Sequence, residues 1–213
     1  MSLELFGHPF SSYTWKALIA LYETGTPFTF RDISGDKYPE NEAAFVAHWP
    51  VGKFPLLVDD GVPIMESSII IEHVVPELVP ADSAREVRLL DRIFDNHVMT
   101  PVQAIVAEHL PFITNTPDEA RIARARAALD KIYPWLDARL EGRRWAAGDD
   151  FTLADCAGAP SLFYADWVQR IPESLTALKA YRAQVLARPS VTRVVDEARP
   201  YRPLFPLGAP DRD

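Results

Sequence analysis

The 213-residue sequence has a single cysteine, Cys156. One thiol cannot close an intrachain disulfide, and it cannot supply the Cys-x-x-Cys pair of a dithiol redox centre. The amino-terminal residues also lack the basic and long apolar regions of a secretory signal. We therefore expect the protein in a reducing cytoplasm, with Cys156 packed inside a helical core rather than exposed as a reactive thiol.

Patterns that would indicate a metal, a nucleotide or a membrane are missing too. The five histidines show neither His-x-x-x-His nor Cys/His spacing, so we expect no metal site. No glycine-rich phosphate loop occurs, which argues against nucleotide use. No apolar run approaches the roughly 20 residues needed to cross a bilayer, and we expect no membrane partner.

Charge is unevenly distributed along the chain. Residues 1–84 contain 12 Asp and Glu and 4 Lys and Arg, a balance of −8, whereas residues 85–213 contain 18 of each. Two parts with different charge balances indicate two domains. Because the basic residues do not alternate with aromatic ones, nucleic acid is a poor candidate partner. An anionic ligand would need local cations, and Lys37 and Lys53 are the obvious ones.

A hairpin and a helix are the clearest local pattern of the sequence. Two short apolar runs, 56–58 and 62–65, are joined through Asp59-Asp60-Gly61, and an Asp-Gly pair between such runs predicts two antiparallel strands. Glu66-Ser67-Ser68 then precedes an apolar stretch that stops at Pro76, which predicts a helix with a serine N-cap. The unpaired amides at that helix start would favour an anion.

Strands and helices alternate before the hairpin. The spacing predicts a strand over 3–6, a helix from Thr14 to Gly25 and a strand over 28–31, which together form a βαβ unit. A short irregular helix is expected within 34–50. With the hairpin and its helix, the order βαβ-ββα is that of a thioredoxin-like domain, assigned to residues 1–77.

The rest of the chain has helical periodicity only. Residues 78–84 are assigned as a linker and residues 85–213 as an all-helical domain. Capping boxes are predicted at Ser83–Glu86, Thr116–Glu119 and Thr152–Asp155, because Ser or Thr stands three residues before an acid at each. Pro101 and Pro134 should disturb their helices. The prolines after residue 198 favour an extended tail.

Two segments carry a resemblance to a known family. Lys53-Phe54-Pro55, the hairpin and Glu66-Ser67 together resemble the glutathione-binding half of the cytosolic glutathione transferases. The resemblance implies that Pro55 is cis, that Lys53 pairs with a glutathione carboxylate and that the Phe54 backbone pairs with the cysteinyl residue. It also implies that Glu66 and Ser67 hold the γ-glutamyl end.

The segment Ser11-Ser12-Tyr13-Thr14-Trp15-Lys16 resembles the serine-type transferases, which are zeta-, tau- or phi-like. By that match the Ser11 hydroxyl faces the glutathione sulfur, with Ser12 and Tyr13 as rivals. On residue type alone, Ser11 and Ser12 are equally well explained as helix caps.

The family implies an enzyme that attacks small hydrophobic electrophiles with glutathione, its co-substrate, as thiolate, and that works as a homodimer. Peroxide reduction is a further activity of the fold. A glutathione-dependent isomerase like maleylacetoacetate isomerase is an alternative, weakened because Tyr13 stands where a cysteine is usual. A non-catalytic glutathione-binding or protein-interaction module of the same fold is the other alternative.

Several aromatic residues are candidates for a contact surface or for the core. Phe45 and Trp49 are apolar residues in a polar segment and are candidates for the dimer contact. Phe163, Tyr164 and Trp167 are expected to form helix core, with the cleft between domains as the second possibility.

Overall fold

The computed structural model describes residues 2–213. Four strands form one mixed sheet in the order β2-β1-β3-β4, with β1 parallel to β2 and antiparallel to β3. The elements of this part are β1 Leu3–Gly7, α1 Ser12–Thr24, β2 Thr29–Asp32, α2 Pro39–His48, β3 Leu56–Asp59, β4 Val62–Met65 and α3 Ser67–Val74. The predicted thioredoxin-like order is confirmed.

The hairpin turn forms as the Asp-Gly pair predicts. Asp60 and Gly61 both have positive φ, 46° and 88°. Two consecutive residues of this kind twist the chain in the sense that matches the flanking strands. The resulting register pairs Leu56 with Met65 and Asp59 with Val62. The first helix likewise ends where expected, since Gly25 adopts the left-handed conformation that closes a helix.

Two further helices of the first half, α2 and α3, differ from the prediction. The irregular helix expected within 34–50 is a 3₁₀ turn at Gly35–Lys37 followed by the regular ten-residue helix α2. Helix α3 begins at Ser67 and has Glu66 as its N-cap residue, so the expectation of a serine cap is wrong. Ser67 and Ser68 are instead buried in the first turn, where Ser68 serves a long-range contact described below.

The second half is helical throughout, as predicted. Its helices are α4 Ala84–Ile93, α5 Thr100–Ala107, α6 Glu119–Leu140, α7 Leu153–Val168, α8 Thr176–Leu186 and α9 Pro189–Ala198. A π-helical turn, Phe94–Met99, joins α4 to α5. It lies directly before Pro101, which has no N–H to offer the carbonyl one turn back. The disturbance predicted at Pro101 therefore occurs, whereas α6 continues through Pro134.

Only one of the three predicted capping boxes forms. Thr152 caps α7, and Asp155 accepts its N–H at 2.9 Å. The cap of α6 is Asp118, whose carboxylate accepts the amides of Ala120 and Arg121, and not Thr116. The Ser83 side chain makes no capping hydrogen bond.

The C-terminal segment does not extend into solvent. Residues Arg199–Leu204 form a 3₁₀ helix, and the Phe205 ring then packs edge-on against Trp167 with centroids 5.0 Å apart. The expectation of an extended tail is wrong because these apolar side chains find partners on α7. Phe163, Tyr164 and Trp167 are buried, as expected for core residues, and Cys156 is buried in the same helix. Burial raises the pKa of the Cys156 thiol.

Asp155 organises the centre of the helical half. Its carboxylate accepts hydrogen bonds from the amides of Ala146 and Thr152 and from the Tyr181 hydroxyl, at 2.9, 2.9 and 2.8 Å. It thereby joins the loop before α7, the start of α7 and the face of α8. In residues 2–213, no helix is both long and apolar enough to cross a membrane.

Asp155→Ala should destabilise the protein by at least about 2 kcal/mol, because two or more buried donors lose their acceptor. Urea denaturation of this variant and of Asp150→Ala measures the effect. Asp150 is exposed and close in sequence, so its variant should stay within about 0.5 kcal/mol of wild type. Equal stability of the two variants would contradict the role assigned to Asp155.

Candidate functional site

The loop between β1 and α1 is held by hydrogen bonds on nearly every backbone group. The Phe10 amide donates to His8 Nδ1 at 3.0 Å, and the Ser11 amide donates to the His8 carbonyl at 3.0 Å. The Trp15 indole N–H donates to the Pro9 carbonyl at 2.7 Å, and the Tyr164 hydroxyl donates to the Phe10 carbonyl at 2.8 Å. Ser11 is therefore presented by a fixed loop that α7 supports from the second half.

Ser11 is also the N-cap of α1. Its Oγ accepts the Thr14 amide at 3.4 Å, a long bond that leaves the hydroxyl proton free to donate. Helix α1 starts at Ser12, so the interpretation of Ser12 as the cap is wrong. The amides of Ser12 and Tyr13 find no acceptor in the described part of the chain. They give the start of α1, beside the Ser11 hydroxyl, a positive partial charge.

The segment before β3 exposes its backbone and one cation. The Phe54–Pro55 peptide bond is cis, as the resemblance implied. The Phe54 backbone makes no hydrogen bond to the rest of the described chain, so it is open to strand-like pairing with an extended peptide. Lys53 is exposed, and within residues 2–213 it has no hydrogen bond or ion pair.

Glu66 has an unusual backbone conformation, with φ 70° and ψ 115°. A non-glycine residue in this region costs about 1–3 kcal/mol and persists only where its surroundings impose it. The consequence here is that the chain turns sharply from β4 into α3. Glu66 and Ser67, at the start of α3, thus border the cavity described next.

These segments line one polar cavity of about 460 Å³. All the sequence-predicted site residues except Ser12 border it. The lining also includes residues that sequence reasoning did not select, from the segment before β3 and from the helical half. The full set is Ser11, Tyr13, Trp49, Gly52, Lys53, Phe54, Pro55, Glu66, Ser67, Arg92, Asp95, Asn96 and Gln103.

A buried ionic cluster forms the floor between the two halves. Lys16 on α1 is 1% exposed and forms ion pairs with Asp91 and with Asp95, the latter at 2.7 Å. Its ammonium also donates to Ser68 at 2.8 Å. Arg92 contacts the same two carboxylates at 2.6 and 2.8 Å, so two cations and two anions balance. Burial raises the pKa of Asp95, and the Lys16 ammonium opposes that rise.

The sequence does contain a signal for this cluster. Asp91 and Asp95 are four residues apart, so they lie on one face of a helix, and each directly follows a residue of the buried stripe, Leu90 or Phe94. Acids at positions that should be apolar normally have a buried partner. Lys16, in an apolar stretch of α1, is that partner.

A second cavity, of about 450 Å³, is mainly apolar and adjoins the first. Ser11, Phe54 and Gln103 border both cavities. Ser12 borders only the apolar one and Tyr13 only the polar one. The remaining lining comes from the β1–α1 loop, the π-helical turn, α5 and the segment after it, α7 and the C-terminal segment: His8, Phe10, Met99, Val102, Val106, Leu110, Phe112, Tyr164, Leu204, Phe205 and Pro206.

Two titratable side chains of the site are held neutral. Burial raises the pKa of Tyr13 to about 12, and the nearby Asp95 carboxylate adds to the effect. Burial also lowers the pKa of His8, with Asp32 acting in the opposite direction. Both rings are therefore uncharged at pH 7. Within the described chain, no group of His, Cys, Asp and Glu side chains could hold a metal ion.

Comparison with known proteins places this arrangement in a family. The model "Glutathione S-transferase, N-terminal domain" matches residues 5–77, and "Glutathione S-transferase, C-terminal domain" matches residues 93–189. The chain belongs to the cytosolic glutathione S-transferase family.

Relatives and structural neighbours agree with this assignment. Glutathione S-transferase F6 of Arabidopsis thaliana is 25% identical over 91% of this chain and 99% of its own. FtsZ-localized protein A of Caulobacter vibrioides is 28% identical over 94% of both chains. A glutathione S-transferase structure from Rhodospirillum rubrum F11 is 30% identical, with a TM-score of 0.73 over 90% of this chain and 91% of that one.

In this transferase fold, one residue expected at the dimer contact is buried. Phe45 packs with Phe6, Leu56 and Val58 beneath α2, so it is core and the interpretation as surface is wrong. Trp49 borders the polar cavity. Lys37, the other candidate cation, lies over the Tyr38 ring and does not line that cavity.

Lys16→Ala should destabilise the protein by about 3 kcal/mol at pH 7, because it leaves two buried carboxylates with only Arg92 as a cation. Removal of the ammonium also raises the pKa of Asp95 further, so the variant binds a proton more readily when folded. Its deficit should therefore shrink as the pH falls toward 4.

Denaturant titrations at pH 7 and pH 4 measure this difference. Lys131→Ala is the matched control, because Lys131 is exposed on α6 and belongs to no ion pair among the described residues. A deficit for Lys16→Ala no larger than that of the control would show that the cluster does not stabilise the fold.

Proposed function

We propose that the protein is a glutathione transferase that activates the glutathione thiol as thiolate for attack on small hydrophobic electrophiles. The observation that carries the proposal is the junction of the two cavities. A polar cavity rich in charged groups suits a zwitterionic tripeptide, and an apolar cavity suits an uncharged electrophile. Ser11 borders both cavities, and the reacting sulfur must lie where the two cavities meet.

The same junction favours Ser11 over its rivals. The thiol of a ligand in the polar cavity must reach the apolar one, and Ser12 and Tyr13 each border only one of the two. The charges of Asp95, Glu66 and Asp91 also act on Tyr13 and disfavour a thiolate beside it, although Arg92 acts in the opposite direction. Ser11 can donate its hydroxyl proton while its Oγ caps the helix.

The energy required is within reach of this geometry. A free thiol has a pKa near 8.5 and is only a few per cent thiolate at neutral pH. Lowering that pKa by about two units takes roughly 2.7 kcal/mol. A charge-assisted hydrogen bond from Ser11, together with the free amides at the start of α1, supplies interactions of this size.

The ligand's orientation follows from the charges around the polar cavity. Lys53 is an unpaired cation beside the open backbone of Phe54, and it suits the glycine carboxylate of the tripeptide. Glu66, Ser67 and the amides of α3 suit the γ-glutamyl ammonium and carboxylate at the opposite end. Arg92 is 48% exposed and adds a second cation on that side. Phe54 pairs with the cysteinyl backbone between them.

A homodimer is part of this proposal. Ile69 on α3 and Leu89 on α4 are large apolar side chains with 54% and 47% exposure, and they replace Phe45 as candidate contacts. The whole assembly would function in the cytoplasm with glutathione as co-substrate.

A non-catalytic binding module is the second candidate function. It is favoured by the 28% identity to a protein named for its localisation with FtsZ. The two candidates differ in one measurable property, since a binding module has no need to lower the thiol pKa of bound glutathione. An isomerase would use the same thiolate and differ only in its electrophile.

Lys53→Ala should weaken glutathione binding about tenfold, because a ligand carboxylate loses its charged partner. Isothermal titration calorimetry with glutathione measures the dissociation constant. Lys37→Ala is the control, since Lys37 is also exposed but lies outside the cavity, and its variant should bind as wild type does. If Lys53→Ala binds as tightly as Lys37→Ala, the assigned orientation of the tripeptide is wrong.

Ser11→Ala should raise the thiol pKa of bound glutathione and slow turnover roughly 10²–10³-fold, with little change in glutathione affinity. It should also cost about 1 kcal/mol of stability through loss of the cap. Ser11→Thr keeps both the hydroxyl and the cap, so it should retain most of the rate.

The measurements are thiolate absorbance against pH and turnover with an aryl halide. Ser12→Ala and Tyr13→Phe serve as the matched controls. If either control loses activity while Ser11→Ala keeps the wild-type activity, the assignment of Ser11 is wrong. A wild-type complex with an unshifted thiol pKa and no turnover would favour the binding module.

A further inference from the structure

His8 is a polar residue in the apolar cavity that the proposed function leaves without a role. Its ring stacks beside Phe54, with centroids 6.3 Å apart, and meets the edge of Tyr201 at 5.6 Å. The ring is half-buried and borders the apolar cavity together with Ser11. A side chain held on two sides by aromatic rings has a defined orientation.

The hydrogen bond from the Phe10 amide fixes the tautomer of His8. An N–H that donates to Nδ1 requires that Nδ1 carry a lone pair, so the proton of the neutral ring is on Nε2. Burial lowers the pKa of His8, and the carboxylate of Asp32 and the phenol of Tyr201 are the titratable groups nearest to it. Nε2–H is thus a donor at pH 7, and it has no acceptor within residues 2–213.

Resting on the proposed function, we propose that His8 Nε2–H donates a hydrogen bond to an oxygen of the electrophile. The substrate class is then an apolar α,β-unsaturated carbonyl compound rather than an alkyl halide. An unpartnered donor in an apolar cavity gains most from an acceptor that becomes more negative during the reaction.

The reaction is an addition that needs no further reactant. The thiolate sulfur forms a bond to the β-carbon, and the electron pair of the C=C bond moves toward the carbonyl to give an enolate. Nε2–H stabilises the enolate oxygen. A proton from water then adds at the α-carbon, and the proton released earlier by the thiol neutralises the hydroxide.

His8→Asn is the informative variant. The asparagine Oδ1 accepts the amide two residues on, so it preserves the loop hydrogen bond made by Nδ1, but it offers no donor at the Nε2 position. His8→Gln places an amide N–H near the Nε2 position and should restore part of the effect. Gln103→Leu tests the competing donor, since Gln103 is another polar side chain at the junction of the two cavities.

The experiment compares kcat/KM for 4-phenyl-3-buten-2-one with that for benzyl chloride, which loses chloride and has no acceptor oxygen. In His8→Asn the enone-to-chloride ratio should fall roughly 10²-fold, the lower end of the loss on removal of an oxyanion donor. His8→Gln should recover part of this ratio, and Gln103→Leu should keep it.

If the ratio is unchanged in His8→Asn, or if kcat/KM falls equally for both electrophiles, the inference is wrong and His8 has a structural role only. A fall of the ratio in Gln103→Leu alone would assign the donor to Gln103 instead. Wild-type conjugation of benzyl chloride tests the proposed function separately. If wild type conjugates that compound and the ratio does not respond to His8, only the inference fails.

Discussion

The buried cluster around Lys16 is the constraint on which the rest of the site depends. An ammonium at 1% exposure is stable only if carboxylates reach it, and those carboxylates come from the other half of the chain. The cluster therefore fixes α1 and α3 against α4 and the π-helical turn. Arg92 on α4 and Asp95 and Asn96 on that turn line the polar cavity, so the contact that joins the two halves also builds one wall of this cavity.

A second consequence of this docking is the support of the Ser11 loop. With α1 held against the helical half, Tyr164 on α7 reaches the Phe10 carbonyl and the Trp15 indole reaches the Pro9 carbonyl. Neither hydrogen bond depends on a ligand, so the loop has this conformation before any ligand binds. Preorganised donors need no rearrangement as charge develops, which is the condition under which they stabilise a thiolate most.

The order of strands and helices followed from the sequence, because the Asp60-Gly61 turn and the Gly25 helix stop are local signals. The residues around Pro55 and Glu66 were found through the family resemblance, and the structure brings them to one cavity. The predicted helix starts were wrong where two possible N-cap residues stand within a few positions of each other, as Thr116 and Asp118 do. The carboxylates that pair with Lys16 are 75 residues or more further along the chain, and only the folded arrangement decides which helix face meets them. The same holds for Phe205, whose burial depends on α7.

The charge balance of the chain decides where a thiolate can be stable. Residues 1–84 carry a balance of −8, so the background potential around the cleft opposes an anion. Burial raises the pKa of Tyr13 to about 12, and three nearby carboxylates add to that rise against the opposing charge of Arg92. Ser11 stands two residues earlier, at the N-cap of α1, where the amides of Ser12 and Tyr13 have no acceptor in the described part of the chain and give the helix start a positive partial charge. In the proposed complex, the acidic side chains of the polar cavity suit the ammonium end of a zwitterionic ligand, and the start of α1 is where its sulfur would be deprotonated.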